Sequence, residues 1–233
     1  MEIGYFKTFL PAGDGLISIL IPIKNEPYIQ TLVNRINKIL KKKHEIIIID
    51  KSSVAPKING AKIIRQKSDG LGNAILEGLK ETKGDVIITM DGDGSHGTED
   101  LNKMLSKIPE YDIVIGSKLV KGGRTEDDFS RKIVTNVFDL TARIILGLKV
   151  NDPMTGFMAV KRSVLEDIKL RPKGFKIVLE ILYKSKVTKA KVAEVPITFH
   201  KRKGGESKVG FNIKGIKEVF RILRLIIELR LGR

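Results

Sequence analysis

The chain has 233 residues, 42% of them hydrophobic, which is enough to bury the core of one large α/β domain. It contains no cysteine, and this argues against a disulfide-stapled secreted protein, a thiolate metal site and a cysteine nucleophile. The formal net charge of +16 indicates an anionic partner: a nucleic acid, a lipid headgroup or a phosphorylated substrate. Residues 1–16 lack the apolar core of a signal peptide, and no apolar run approaches the ~20 residues of a membrane span.

Strand and helix patterns alternate along the first half of the chain. Buried-strand patterns fall at residues 17–21, 45–49, 61–65, 85–90 and 111–115, and helical patterns fall at 28–40, 72–82 and 99–106. This βαβ rhythm predicts an α/β fold with a doubly wound, mostly parallel sheet.

The second half is less regular. It predicts helices over 130–146 and 176–186, a strand over 157–160, an extended segment over 190–199 and a basic amphipathic helix over about 213–231. We see no repeat, low-complexity tract or linker, so a single domain is expected.

Two aspartates end the strand at 85–90. Asp91 and Asp93 are separated only by Gly92 and would lie at the carboxyl edge of the sheet, where open α/β sheets bind ligands. Two such carboxylates can share a divalent cation that holds a diphosphate. A solvated turn has the same composition. A helix-loop-helix calcium site is excluded, because its glycine position is His96 and its final glutamate position is Asn102.

Other polar clusters follow the neighbouring strands. They contain Pro22, Asn25 and Glu26 after the first strand, Asp50 and Ser52 after the second, and Lys67, Gly70 and Gly72 before the second helix. Each cluster alone is typical of an ordinary loop, and the lone Gly-x-Gly is not the dinucleotide fingerprint. Their joint placement at one sheet edge is what a nucleotide pocket requires.

The order of these segments resembles the family 2 glycosyltransferases of GT-A fold, and among them the dolichol-phosphate mannose synthase group. The resemblance covers roughly residues 16–225. The matching segments are Ile-Pro-Ile-Lys-Asn-Glu (21–26), Ile-Asp-Lys-Ser-Ser (49–53), Gly-Leu-Gly-Asn-Ala (70–74), Met-Asp-Gly-Asp-Gly-Ser-His (90–96), Ile-Gly-Ser-Lys-Leu-Val-Lys-Gly-Gly (115–123), Asn-Asp-Pro-Met-Thr-Gly-Phe (151–157), Glu-Val-Pro-Ile-Thr-Phe (194–199), and Arg202 with Gly-Glu-Ser-Lys (205–208).

The resemblance implies a GT-A domain over residues 1–233, with a Rossmann-like nucleotide-binding half. Its parts would be an N-terminal extension (1–15), a nucleotide-sugar-binding half (16–117), an acceptor-binding half (118–210) and a membrane-proximal basic amphipathic helix (211–233). The nucleotide sugar would meet Pro22, Asn25, Glu26, Asp50, Ser52, Lys67, Gly70, Gly72, Asp91, Gly92 and Asp93.

The resemblance also implies the metal and acceptor contacts. Asp91 and Asp93, with Ser95 where the family usually has Gln, would hold Mg²⁺ or Mn²⁺. The acceptor phosphate would meet Lys118, Arg131, Thr135, Arg202 and Lys208. Asp91, Asp93, Arg131 and Arg202 are the expected catalytic residues. Lys118 stands where the family often has Arg, and Lys51, Ile23 and Lys24 depart from the family pattern around the base.

The implied activity is inverting transfer of a hexose to polyprenyl (dolichyl) phosphate at the cytoplasmic face of a membrane. GDP-mannose is the expected donor, and UDP-glucose is the alternative. We expect peripheral contact with the membrane surface, with or without a separate membrane-anchoring subunit, and no nucleic acid partner. A non-enzymatic basic nucleic-acid- or membrane-binding protein, and a catalytically silent sugar-nucleotide sensor, are the lower-ranked alternatives.

Three residues and the last helix each have two possible interpretations from the sequence. Asp152 is a base or a turn residue, and Glu180 is a sugar ligand or, by preference, an exposed helix acid. His96 is a contact behind the aspartates or, by preference, a solvated loop histidine. The last helix lies on anionic lipid or packs on the core with a solvated basic face, which is favoured for its first half.

Overall fold

The computed structural model describes residues 15–171, 176–203 and 213–232. The strands in this part of the chain are β1 (Ile17–Ile23), β2 (His44–Asp50), β3 (Lys62–Arg65), β4 (Val86–Thr89), β5 (Ile113–Ser117), β6 (Arg124–Thr125), β7 (Met158–Lys161), β8 (Val192–Pro196) and β9 (Thr198–Phe199). The helices are α1 (Ile29–Ile39), α2 (Leu71–Leu79), α3 (Asp100–Lys107), α4 (Phe129–Leu146), α5 (Arg162–Glu166), α6 (Ile177–Val187) and α7 (Ile213–Arg230).

Seven strands form one central sheet in the order β3-β2-β1-β4-β7-β5-β8. Adjacent strands of this sheet are parallel, except that β7 is antiparallel to both β4 and β5. Strands β6 and β9 pair with each other in a small second sheet. The mostly parallel, doubly wound sheet predicted from the βαβ rhythm is confirmed.

The sheet is covered on both faces, which explains why its strands are almost continuous isoleucine. In β1 and β2, Ile19 and Ile48 point to the layer that contains α1 and α3. Their neighbours Leu20 and Ile47 point to the opposite layer, where α2, α4, α6 and α7 pack. One core therefore lies on each side of a single sheet.

The strand directions bring distant loops together. Because β1, β4, β5 and β8 are parallel, the segments that follow them leave the sheet at the same edge. Because β7 is antiparallel, the segment that precedes it, residues 151–157, also lies at this edge. The edge therefore collects loops from both halves of the chain.

The helix at the end of the described chain packs against the core. Ile222, Leu225, Ile226 and Leu229 of α7 are buried, while Phe220, Ile227 and Leu231 are exposed beside Arg224 and Arg230. The core-packing interpretation was favoured for the first half of this helix, and the side chains of residues 213–219 lie outside the described part of the chain. Within the described ranges, no helix combines the length and apolar composition needed to cross a bilayer.

Candidate active site

A cavity of about 350 Å³ opens at the carboxyl edge of the sheet. Its walls come from the segments after β1, β4, β5 and β9, from the segment before β7, and from the starts of α2 and α6. The same space is lined by Asp91, Gly92 and Asp93 and by Lys118 and Arg202. The cavity therefore joins the two sets of residues that the sequence assigns to separate halves.

Asp91 is held from behind by His96. The backbone N–H of Asp91 donates to Nδ1 of His96 over 3.1 Å, and the imidazole stacks on Phe157 with ring centroids 4.9 Å apart. Only 2% of His96 is exposed, so the preferred prediction of a solvated loop histidine is wrong. Burial lowers the pKa of His96, although the carboxylates of Asp91 and Asp93 act against this. The ring is thus a neutral acceptor that fixes the Asp91 backbone.

The Asp91 carboxylate lies against the backbone of the segment before β7. A Cβ on Gly156 would come within 3.3 Å of Asp91 Oδ1, so any side chain there would require the carboxylate to move by a few tenths of an ångström. Asp91 lines the cavity, and no hydrogen bond or ion pair of its carboxylate is seen within the described part of the chain. This carboxylate faces the space where a ligand would sit.

Asp93 is held by two neighbours. Its Oδ1 accepts hydrogen bonds from the Ser95 N–H (3.0 Å) and from Ser95 Oγ (2.6 Å). Its Oδ2 lies 3.0 Å from Nε of Arg202. Ser95 is fully buried, so its observed contact is with Asp93 and its role as a metal ligand stays a prediction.

Lys118 and Asp152 form a buried ion pair beside the aspartates. Lys118 Nζ lies 3.3 Å from Asp152 Oδ1, and the Lys118 backbone N–H donates to Oδ2 over 3.0 Å. The Asp152 backbone N–H is in turn held by Glu194 at 3.1 Å. Only 1% of Asp152 is exposed, yet it lines the cavity, so it is both a structural residue of this turn and a wall of the site.

Two functional candidates are absent from the sequence predictions. Lys176 lines the cavity just before α6, and its Nζ donates to the Met154 carbonyl over 2.7 Å. Burial lowers the pKa of Lys176, and the positive charge of Lys118 adds to this. Asp139 of α4 lies behind the same turn and is 1% exposed. A sequence signal for Asp139 does exist: it shares the buried face of α4 with Ala142 and Leu146, where an acid is out of place.

The nucleotide-side predictions divide into two groups. Pro22, Glu26 and Gly92 line the cavity, and burial is the main cause that raises the pKa of Glu26. The others lie outside its lining, and their nucleotide contacts stay predictions: Asn25, Asp50, Ser52, Lys67, Gly70 and Gly72.

The residues outside the lining bind one another in the loops next to the cavity. Asp50 is fully buried and binds Arg65 and the Ser52 N–H (2.8 Å), while Ser52 Oγ accepts from the Asn25 N–H (2.7 Å). Lys51 reaches across to Asp69, with Nζ 3.1 Å from Oδ1. These bonds tie the loops after β1, β2 and β3 into one wall.

The acceptor-side predictions can be followed for three residues. Lys118, Thr135 and Arg202 all line the cavity. The side chain of Arg131 and the whole of Lys208 lie outside the described residues. Glu180 is 2% exposed and pairs with Lys184 at 2.5 Å outside the lining, so the preferred prediction of an exposed helix acid is wrong.

A comparison with known protein families gives a match over more than half of the chain. The family model described as "Glycosyl transferase family 2" matches residues 18–169. The chain belongs to this family. Residues 18–169 include the whole donor side of the cavity and the Lys118–Asp152 pair, so the matched region contains most of the site.

Similar glycosyltransferases include enzymes named for lipid phosphates. A "Dolichol-phosphate mannosyltransferase" of Pyrococcus furiosus is 38% identical over 91% of this chain, which covers 63% of that protein. An "Undecaprenyl-phosphate mannosyltransferase" of Micrococcus luteus is 36% identical over 65% of each chain. The present chain thus spans slightly less than two thirds of these two relatives.

Solved structures confirm the GT-A-like fold. Glucosyl-3-phosphoglycerate synthase from Mycobacterium tuberculosis, in complex with Mn²⁺, UDP-glucose and phosphoglyceric acid, has a TM-score of 0.67. The match covers 94% of this chain and 79% of that one at 18% sequence identity. At this identity the likeness concerns the fold alone.

Proposed function

We propose that this glycosyltransferase moves mannose, with inversion, from GDP-mannose to a polyprenyl phosphate such as dolichyl phosphate. The observation that carries the proposal is the shared cavity, in which a carboxylate pair faces a group of cations. The relatives named mannosyltransferases support the choice of sugar and acceptor.

The nucleotide-sugar side of the cavity has the carboxylate ligands that a divalent metal needs. Mg²⁺ typically takes one or two carboxylates and completes its shell with water and substrate phosphates. Asp91 and Asp93 offer two carboxylates one residue apart, and the cavity beside them leaves room for a diphosphate. Mg²⁺ or Mn²⁺ bound there would stabilise the negative charge of the leaving nucleoside diphosphate. The residues present therefore fit the metal.

The acceptor side needs cations more than it needs a base. The second pKa of a phosphate monoester is about 6, so the attacking oxygen is already deprotonated at neutral pH. Lys118 and Arg202 line the cavity, and Thr135 of α4 adds a hydroxyl. Their task is to hold the phosphate at the sugar carbon, and such positioning contributes several kcal/mol, of order 7 or more in ideal geometry. Asp152, paired with Lys118, then orients that lysine and need not accept a proton.

The acceptor carries a lipid tail, and the fold offers a surface for the membrane that holds it. Helix α4 exposes one stripe of large apolar side chains at helical spacing: Phe129, Ile133, Val137, Leu140 and Ile144, each 49–78% exposed. We propose that this α4 stripe lies in the lipid interface. Thr135 on the same helix lines the cavity, so α4 would connect the membrane to the phosphate site. This moves the proposed contact from the basic C-terminal helix to α4, on the cytoplasmic membrane face.

A donor screen tests the proposal. The protein is incubated with short-chain polyprenyl phosphate, Mn²⁺ and radiolabelled GDP-mannose or UDP-glucose, and the lipid-extractable label is counted. Label from GDP-mannose at least about tenfold above that from UDP-glucose is expected. If UDP-glucose gives more label, UDP-glucose and not GDP-mannose is the donor. If neither donor gives label in the lipid extract, transfer to a lipid phosphate is contradicted. The Asp91→Ala variant serves as the blank.

A further inference from the structure

Two lysines flank one turn at the acceptor side of the cavity. Lys118, after β5, binds Asp152 at the start of the turn, with Nζ 3.3 Å from Oδ1. Lys176, before α6, donates to the carbonyl of Met154 within the same turn over 2.7 Å. Both lysines line the cavity, so two ammonium groups border the space where an anion would enter.

A buried carboxyl lies behind this turn. Oδ1 of Asp139 accepts a hydrogen bond from the Met154 N–H at 3.1 Å. Its Oδ2 is buried and, in the described part of the chain, has no hydrogen-bond partner. Asp139 therefore holds the N–H of the residue whose carbonyl binds Lys176. Burying an ionised carboxylate with an unpaired oxygen costs much more free energy than burying the neutral, protonated form.

The surroundings place the ionisation of Asp139 near neutrality. Burial, followed by the negative charge of Asp152, raises the pKa of Asp139 to about 7, against the opposing effect of Lys118 and Lys176. Charged groups on the adjoining helices include Arg143 on α4, the Glu180–Lys184 pair on α6 and the Arg224–Glu228 pair on α7. The two ion pairs are internally neutralised, and the charges that shift the pKa of Asp139 are those of Asp152, Lys118 and Lys176.

We propose that Lys176 binds the acceptor phosphate beside Lys118, and that the Asp139 carboxyl positions Met154 and weakens this binding when it ionises. The inference rests on the proposed function for the identity of the phosphate. With Asp139 protonated, two ammonium groups face the single charge of Asp152, which leaves one net positive charge. With Asp139 ionised, the four groups sum to zero and attract a phosphate dianion less.

This arrangement gives a pH window. The phosphate monoester becomes a dianion above pH ~6, which strengthens binding as pH rises. Ionisation of Asp139 near pH 7 reverses the trend. Affinity for the acceptor should therefore peak between these values and fall toward pH 8.5.

The test measures binding without turnover. Isothermal titration of a soluble short-chain polyprenyl monophosphate is run at pH 6.5 and 8.5 on the wild type and on four variants. Lys176→Met should raise Kd about tenfold or more at pH 6.5, and Lys176→Arg should restore most of the affinity. Lys38→Met, which removes an exposed lysine near the end of α1, should change nothing. Asp139→Asn, which retains the acceptor for Met154, should bind equally at both pH values.

The wild type should bind about fivefold more weakly at pH 8.5 than at 6.5. A wild-type Kd that does not rise over this interval overturns the role of Asp139, whether or not Asp139→Asn folds. A Lys176→Met variant that keeps its melting temperature and binds like Lys38→Met overturns the role of Lys176. Failure of the proposed function would look different: no label would reach lipid with any donor, whatever these binding data show.

Discussion

Arg202 and Asp93 form an ion pair in the lining of the cavity, with Nε of the arginine 3.0 Å from Oδ2 of the aspartate. Asp93 follows β4 on the donor side, and Arg202 follows β9 on the acceptor side. A metal ion at Asp93 and a phosphate at Arg202 would each compete with this contact. The ion pair therefore couples the two halves of the site.

Replacing Arg202 by alanine should separate these effects. We expect the acceptor KM to rise about 10- to 100-fold, because a charge-assisted hydrogen bond to the phosphate is lost. The Kd for Mn²⁺ should stay equal or become tighter, because Asp93 loses its cationic partner. Steady-state kinetics with either substrate varied, together with metal titration, measures both. Equal losses for donor and acceptor would contradict the acceptor role of Arg202.

Asp91→Ala and Asp93→Ala should each abolish metal-dependent turnover, with kcat reduced about 10²-fold or more. The fold should persist in both, but Asp93→Ala leaves the buried N–H and Oγ of Ser95 without their acceptor and should lower the free energy of unfolding by about 1–3 kcal/mol. Asp167→Ala is the matched control, because Asp167 is exposed and follows α5 at the opposite edge of the sheet. The readouts are kcat, the Mn²⁺ titration in the presence of GDP, and the melting temperature. Near-wild-type kcat in both alanine variants would remove the metal assignment.

The sequence predicted the fold well because the local signals are strong, and it assigned the candidate site to the sheet edge at which the cavity lies. The isoleucine-rich strands and the 3.6-residue periodicity of α1 allowed few other assignments of secondary structure. Because parallel strands end at the same edge of a sheet, the loops that follow them were expected to lie close together. Helix α5 was missed, because Arg162–Glu166 is too short for periodicity to register.

Side-chain burial was harder to predict than the fold. His96 has polar and glycine neighbours in sequence, and it is buried against Phe157, which is distant along the chain. Glu180 lies between the buried Leu179 and Ile181, and its contacts with Arg171 and Lys184 are local, so the apolar neighbours were a signal of its burial. The contribution of Lys176 required knowing that the start of α6 reaches the turn at Met154. Such long-range contacts leave no local pattern, so only the three-dimensional arrangement reveals them.

His96 should contribute to stability and to Mn²⁺ affinity, because it accepts the hydrogen bond from the Asp91 N–H. His96→Leu removes the acceptor for the Asp91 N–H and should lower the free energy of unfolding by about 1–3 kcal/mol, with weaker Mn²⁺ binding. His96→Asn offers an amide oxygen near the position of Nδ1 and should recover much of the metal affinity while losing the stacking on Phe157. Denaturant unfolding and metal titration compare the two. If both variants bind Mn²⁺ equally, the hydrogen bond is not what orients Asp91.

Asp139 should make stability depend on pH. Its pKa in the folded chain is about 7, above its ordinary value of 3.8, so the folded state binds the proton more tightly than the unfolded chain does. This contribution is fully present below pH ~4 and is lost as pH rises through 7. The Asp139→Asn variant lacks it, and its stability relative to wild type should increase with pH by up to about 4 kcal/mol. Urea unfolding at pH 5 and pH 8 measures the difference, and a constant difference would mean that Asp139 is ionised throughout.

The α4 stripe provides the last prediction. Val137→Glu and Ile144→Glu place charges where apolar side chains would enter lipid, and each should weaken binding to anionic liposomes about tenfold or more. Val187→Glu is the matched control, because Val187 at the end of α6 is 80% exposed and lies outside the stripe. Liposome flotation and transfer to detergent-dispersed acceptor are measured in parallel. Because Thr135 faces the cavity and the stripe faces outward, flotation should fall while transfer in detergent is retained. Equal flotation of all three variants and wild type would show that α4 is not the membrane surface.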